Sequence, residues 1–292
     1  MASKAAWSRR AVIGAGVALL LPKEAHALSE PISGEAIRFG LTPVFLTSDL
    51  ELLGRLQSYL QNATGLPVGL IERRTYQEIT AMLISGQLDA AWICGFPYVA
   101  HRRELQLVAV PLWHQKPLYQ SYLIVDQERT AQSLSDLRGD IHAFSDPDSN
   151  SGFLVTRAQL AGMGLRPEIF FKRSIFTYGH RNVIRAVASG LAQSGSVDGY
   201  VYDVVANLEP SLVSRTRILS ASEWLGFPPI AAPKNPPDSQ KLALLKAALL
   251  NIHKTEAGRA VLAMLQLDGF ASEGASLYET IAAKAALVAA AG

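Results

Sequence analysis

Apolar and polar positions along this chain change period repeatedly, and the changes mark out alternating elements. Ala36-Ile37-Arg38-Phe39-Gly40-Leu41 alternates and then meets Thr42-Pro43, the pattern of a strand running into a loop. Residues 46–64 carry Leu50, Leu53, Leu56 and Leu60 at helical spacing and stop at Gly65, so a helix is expected there. A second strand is expected over 68–71, a helix over 75–86 with Ile79, Met82 and Leu83 on one face, and a third strand over 88–93. Strand, helix, strand, helix, strand implies an α/β unit with a mostly parallel sheet.

A second alternation follows. Residues 107–110 and 122–125 read as strands, as do 141–144, and residues 151–162 read as a helix. Residues 170–176 are expected to pair back, 182–190 to form a helix, Gly199-Tyr200-Val201-Tyr202 to form a strand, and 217–219 one more. Residues 221–237 are proline-rich and read as loop, and 239–291 read as helical. With no repeat and no low-complexity linker, the chain is expected to cross between two lobes more than once. Ligands of such sheets bind outside the carboxyl ends of the strands.

Composition narrows the class. The chain has 292 residues, 49% hydrophobic and 18% charged, which is globular and excludes disorder. Its formal charge is +2, but residues 1–27 carry Lys4, Arg9, Arg10 and Lys23 against Glu24. The remainder is near neutral, which gives no reason to expect nucleic acid or an anionic membrane as partner. Residues 1–27 also read as an export signal: Ser8-Arg9-Arg10, an apolar run over 11–21 too short to span a bilayer, and Ala25-His26-Ala27 at a cleavage position. The paired arginines resemble a twin-arginine signal; an ordinary secretory signal and a retained membrane anchor are the alternatives. The single cysteine, Cys94, excludes an internal disulfide in an exported protein and is flagged as a free thiol.

Several segments in order carry a resemblance: Phe39-Gly40-Leu41-Thr42-Pro43, Gly86-Gln87-Leu88-Asp89-Ala90-Ala91-Trp92, Gly95-Phe96-Pro97-Tyr98-Val99, Tyr119-Gln120-Ser121-Tyr122, Asp146-Pro147-Asp148-Ser149-Asn150-Ser151-Gly152, Phe176-Thr177-Tyr178-Gly179-His180 and Val197-Asp198-Gly199-Tyr200. Over residues 37–267 the chain resembles the phosphate/phosphonate-type periplasmic solute-binding proteins of ABC transporters. The resemblance implies a two-lobed (type II) periplasmic binding protein with its ligand cleft between α/β lobes. The first lobe is expected over 36–126 and 215–292 and the second over 127–214.

The candidate ligand residues follow from residue chemistry and from this resemblance. Free N–H groups where a helix begins at Ser149-Asn150-Ser151-Gly152 suit an anion, and the family grips its anion there; a plain N-cap is the alternative. Relatives often show Ser-Thr-Ser-Gly at this place, so Asn150 is a departure, and its amide both donates and accepts. The resemblance makes His180 a donor to the ligand, and neutral or charged imidazole suits that role. Tyr98, Thr42 and Tyr202 lie at expected strand ends. Asp203 beside them would suit a protonated oxyanion, or serve as a helix cap. Cys94 is either a small buried hydrophobe or a soft ligand. In a subgroup of the family, periplasmic arsenite sensors present a cysteine and signal to a membrane histidine kinase, and only that reading gives Cys94 a metalloid to hold.

A Cys94–His180–Asp203 nucleophile set is conceivable. However, no nucleophile motif surrounds Cys94, and the sequence has no His-Glu-x-x-His, Gly-x-Gly-x-x-Gly or P-loop. The expectation is therefore a monomeric periplasmic receptor that is not an enzyme and takes no cofactor. It would bind a small oxyanion and pass it to an ABC permease or signal to a sensor kinase.

Overall fold

The structure is a computed structural model that describes residues 36–43 and 50–292. The expected export signal lies outside the described residues.

The first lobe begins with β1 (Ile37–Leu41), α1 (Leu50–Thr64), β2 (Val68–Glu72), α2 (Tyr76–Ile84), β3 (Ala90–Trp92), α3 (Gly95–Ala100) and β4 (Leu105–Leu112). β1 pairs in parallel with β2 and β3. Ile37 and Phe39 on β1 are fully buried, as expected of a strand covered on both faces. Thr75 caps α2 by a reciprocal pair of bonds with Glu78, which fixes where the helix starts. Asp89 binds both the backbone and the guanidinium of Arg38 at 2.7–3.2 Å. That acidic residue therefore locks β3 against β1.

The chain then passes through the short β5 (Leu118–Tyr119) into the second lobe. There follow β6 (Ser121–Asp126), β7 (Ile141–Phe144), one π-helical turn (Asn150–Leu154), α4 (Val155–Gly162), α5 (Pro167–Phe170), β8 (Arg173–Phe176), α6 (His180–Ala188), β9 (Ser194–Asp198), α7 (Gly199–Leu208), α8 (Pro210–Val213) and β10 (Thr216–Ala221). It returns through β11 (Leu225–Gly226) to β12 (Ile230–Pro233), α9 (Ser239–Leu250), α10 (Glu256–Leu265), β13 (Gly269–Ala271) and α11 (Glu279–Ala290).

The strand orders are β13-β4-β12-β3-β1-β2 and β10-β6-β9-β7-β8. Only the first α/β run of each lobe is parallel (β2-β1-β3 and β8-β7-β9). The remaining neighbours, including β12 on β3 and β4 and β6 on β9, are antiparallel. The expectation of mostly parallel sheets holds for half of each sheet, because the crossing strands return in the opposite sense.

β6 and β10 are hydrogen-bonded into the second sheet, so the sheets change before residue 121 and after residue 221 rather than at 126 and 215. The two crossings run side by side and pair as the β5–β11 ladder. Two local expectations are corrected. Gly199-Tyr200-Val201-Tyr202 is the first turn of α7, because the strand ends at Asp198, whose side chain accepts the Val201 N–H as a helix cap. The proline-rich segment holds the fully buried β12, whose only internal-sheet proline, Pro233, ends the strand.

α11 packs against α3 of the first lobe and against α4 and the π turn of the second. It comes so close to α3 that a Cβ on Gly95 would lie 2.7 Å from the Ile281 side chain. No helix among the described residues is long and apolar enough to cross a membrane.

Candidate functional site

The carboxyl ends of the parallel strands of both lobes converge, the place where open α/β sheets bind their ligands. From the second lobe come Ser145 and Asp146 after β7, His180 after β8 and Asp198 at the end of β9. Thr42 after β1, Cys94 after β3 and Tyr76 at the start of α2 come from the first. All seven are at most 2% exposed.

The loop before the π turn is tightly organised. Asp146 Oδ1 accepts the Asp148 N–H at 2.8 Å. Its other oxygen accepts the Tyr76 N–H of the first lobe at 3.2 Å, where a carboxylate also favours the α2 dipole. Ser149 Oγ accepts the Gly152 N–H at 3.0 Å, which leaves its own hydroxyl hydrogen to donate. Gly152 is dictated by space, since a Cβ there would lie 1.9 Å from Ser145 Oγ and 3.0 Å from the His180 ring. A π turn at this position widens the helix start, a feature often found at functional sites.

Further bonds cross between the lobes. The Asn150 N–H donates to Cys94 Sγ at 3.2 Å, and Asn150 Nδ2 donates to the Tyr119 hydroxyl at 2.8 Å. Tyr76 OH and His180 Nε2 are 3.2 Å apart. The Asp198 N–H donates to His180 Nδ1 at 3.1 Å, so that nitrogen is unprotonated and Nε2 carries the hydrogen. His180 thus presents one N–H toward Tyr76 and the cleft, and burial holds its pKa down to about 3. Burial pushes the Cys94 thiol up to about 12, which makes it a neutral acceptor and not a thiolate. Asp198, also fully buried, is pushed up to about 7 by burial. Two buried atoms of this cluster, Ser145 Oγ and Asn150 Oδ1, have no hydrogen-bond partner. Buried polar atoms ordinarily have one, so the cluster has hydrogen-bonding capacity to spare.

Of the residues expected from sequence, the structure brings together Cys94, Ser149, Asn150, Ser151, Gly152 and His180. Thr42 lies at the same strand ends, and its hydroxyl donates to the Trp92 carbonyl at 3.0 Å. Tyr98 sits on α3 rather than in a loop, with its ring 4.9 Å from Tyr278, and makes none of the cross-lobe bonds. Tyr202 and Asp203 make none of the cross-lobe bonds: Tyr202 pairs with Thr216 at 3.0 Å, and Asp203 accepts from Tyr122 at 3.4 Å. They follow a strand that ends at Asp198, four residues before the expected end, so Asp198 takes the strand-end position. Tyr76, Tyr119, Ser145, Asp146 and Asp198 were not singled out from sequence. Tyr119, Asp146 and Asp198 stand inside the motifs that carried the resemblance, and Tyr76 follows a readable helix cap.

Outside the sealed cluster a groove of about 760 Å³ runs along the rim. Arg73, Arg74 and Thr75 of the first lobe face Thr177, Tyr178 and Asn182 of the second across it. No lysine or arginine makes a hydrogen bond to the cluster itself among the described residues.

A family model described as "ABC transporter, phosphonate, periplasmic substrate-binding protein" matches residues 39–278. The phosphate-import protein PhnD of Mycolicibacterium smegmatis is 29% identical over 174 residues, 55% of this chain and 54% of that protein. The aligned part of the chain thus spans about half the length of that curated relative. Two solved structures share the fold. The binding-protein component of an ABC phosphonate transporter from Pseudomonas aeruginosa has a TM-score of 0.80 at 19% identity, covering 88% of this chain and 89% of that one. PhnD1 of Prochlorococcus marinus, in complex with methylphosphonate, has a TM-score of 0.77 at 19% identity, covering 86% and 97%. With two α/β lobes, a polar cleft and a family match over most of its length, the chain belongs to the periplasmic substrate-binding proteins of phosphonate ABC transporters.

Proposed function

We propose that the protein is an exported, monomeric receptor that captures a small phosphorus oxyanion (phosphate, phosphite or a phosphonate) between its lobes. It delivers that ligand to an ABC permease in the cell membrane and catalyses no reaction on it. The observation that carries the reading is the sealed polar cluster at the strand ends of both lobes, with Ser145 Oγ and Asn150 Oδ1 unspent. Ser149 O–H, His180 Nε2–H and the N–H groups of the π turn are the donors that meet the anion's oxygens. Tyr76, Tyr119, Thr42 and Cys94 line the first-lobe and crossover side. Closure exchanges cross-lobe bonds for bonds to the ligand, and the permease reads the closed form. Signalling to a histidine kinase through arsenite is not favoured, because Cys94 is one buried neutral thiol already accepting the Asn150 N–H.

Calorimetry of phosphate, phosphite, methylphosphonate and arsenite against the purified protein tests this. At least one phosphorus oxyanion is expected to bind. Ser149→Ala with Ser151→Ala removes one or two charge-assisted bonds of about 1.5–3 kcal/mol each, so affinity should fall at least about tenfold. Unchanged affinity in the double variant would sink the assignment. Tight arsenite binding that disappears in Cys94→Ala would restore the sensor reading.

A further inference from the structure

The hydroxyls of the grip loop do not all point their hydrogens the same way. Ser149 Oγ accepts a backbone N–H and keeps its hydrogen to give. Ser151 Oγ instead donates to Asp198 Oδ2, at a long 3.5 Å, and the Tyr119 hydroxyl lies within hydrogen-bonding reach of Ser151. With its hydrogen committed, Ser151 offers the cleft only lone pairs. Asp198 Oδ1 accepts the Val201 N–H at 3.2 Å, the Tyr200 N–H also bonds the carboxylate, and Oδ2 is the oxygen that meets Ser151. Asn150 Oδ1, buried and without a partner, is a further acceptor on the same turn. One side of an anion cleft is thus built from acceptors.

The groups facing Asp198 make this sharper. They are Tyr76 of α2, Cys94 after β3, Tyr119 of β5, Tyr122 of β6, and Tyr200 and Asp203 of α7. His180 of α6 is neutral, with Nδ1 occupied by the Asp198 N–H. None of these is a cation. A fully deprotonated dianion pressed against this carboxylate in a dry site would meet uncompensated like charge. A ligand oxygen that still bears hydrogen has a place to put it.

We propose that Ser151 and Asp198 act together as a proton acceptor and make the site selective for the hydrogen-bearing form of the oxyanion. This rests on the oxyanion reading above. The complex holds one acidic proton on the line from ligand oxygen through Ser151 to Asp198. His180 cannot take that proton at Nδ1 without giving up the Asp198 amide. The burial that holds Asp198 near 7 agrees with a proton kept on this line at neutral pH.

The test is calorimetric affinity for methylphosphonate between about pH 5.5 and pH 9, with wild type and Asp198→Asn. Asparagine is an equally good helix cap, so its Oδ1 keeps the Val201 bond. Its Nδ2 donates to Ser151, which frees that hydroxyl to donate to the ligand. Wild-type affinity should fall about tenfold per pH unit once the ligand's second ionisation and Asp198 are both passed. The variant should lose that dependence and hold the dianion at least as well as the monoanion. Should Asp198→Asn fail to fold, wild-type binding measured at pH 8.5 in buffers of different ionisation enthalpy should show uptake of about one proton. Wild-type affinity that is flat or rising with pH, an unchanged slope in Asp198→Asn, or no proton uptake would each overturn the proposal while leaving oxyanion capture standing. Failure of folded wild type to bind phosphate, phosphite or methylphosphonate at any pH would overturn both.

Discussion

Two buried histidines of the second lobe, His142 and His180, make an instructive pair. Burial holds both near a pKa of 3, and both are flanked by hydroxyl groups. His142 is satisfied entirely within its own lobe. Its nitrogens pair with Ser194 and Ser196 at 2.8 Å each, its ring stacks on Phe171 at 4.2 Å, and Ser194 leads to the Asp140–Arg129 ion pair. His180 is tied to one lobe by Nδ1 and to the other by Nε2, among atoms that lack partners. Burial and a depressed pKa are shared, so neither marks function. What sets His180 apart is that its partners belong to two lobes and that the surrounding set is incomplete.

The largest expected effect separates the two histidines on stability. His142→Ala breaks a closed buried network and should cost about 2–4 kcal/mol in denaturant unfolding, with ligand affinity changed less than about twofold. The same comparison has a pH arm. The folded-state pKa of His142 is depressed below the unfolded value of about 6.5, so its stabilisation is full above pH 6.5 and is lost as pH falls toward 3. Asp198, raised to about 7, acts oppositely: the folded state holds the extra proton, and stability falls as pH rises from about 4 to 7. His142→Gln should therefore flatten the loss of stability on acidification, and Asp198→Asn should steepen it. Equal slopes in both variants would erase the distinction.

A smaller effect is expected on the first-lobe side of the cleft. Cys94→Ala removes the acceptor of the Asn150 N–H, a bond of about 1 kcal/mol. Oxyanion affinity should change by about fivefold or less, and Cys94→Ser should restore most of it. The smallest effect concerns the rim. Arg73 and Arg74 line the groove outside the cluster and supply positive field along it. Replacing both with alanine should slow association by a few-fold at low ionic strength and by nothing measurable in high salt, as stopped-flow kinetics would show.

Much of this arrangement was legible in the sequence, for identifiable reasons. The parallel units follow from hydrophobic periodicity, and the helix start follows from Ser149 to Gly152 placed before an apolar helix. β12 was not legible, because Pro228, Pro229 and Pro233 disguise a strand that is buried by its neighbours rather than by its own pattern. Asp198 was passed over for Asp203, because Gly199-Tyr200-Val201-Tyr202 reads as strand by composition and is turned into helix by the cap preceding it. Tyr76 and Tyr119 could not be placed, since their role depends on which lobe faces them. Periodicity assigns residues to faces within one element; it carries no information about a meeting of two.

The C-terminal helix changes what opening must mean for this protein. The paired crossings at β5 and β11 form a pivot, and a pivot by itself leaves two bodies free to swing. α11 rests on α3 on one side and on α4 and the π turn on the other, and Lys284 pairs with Glu223 beside β11, so it works as a strut that joins both lobes at the pivot. The lobes cannot separate without α11 letting go of one of them. Its surface is rich in alanine, which offers little for a neighbour to catch on, and Gly95 lets α3 approach it without a side chain in the way. How far the lobes part is thereby tied to α11 as well as to the paired crossings.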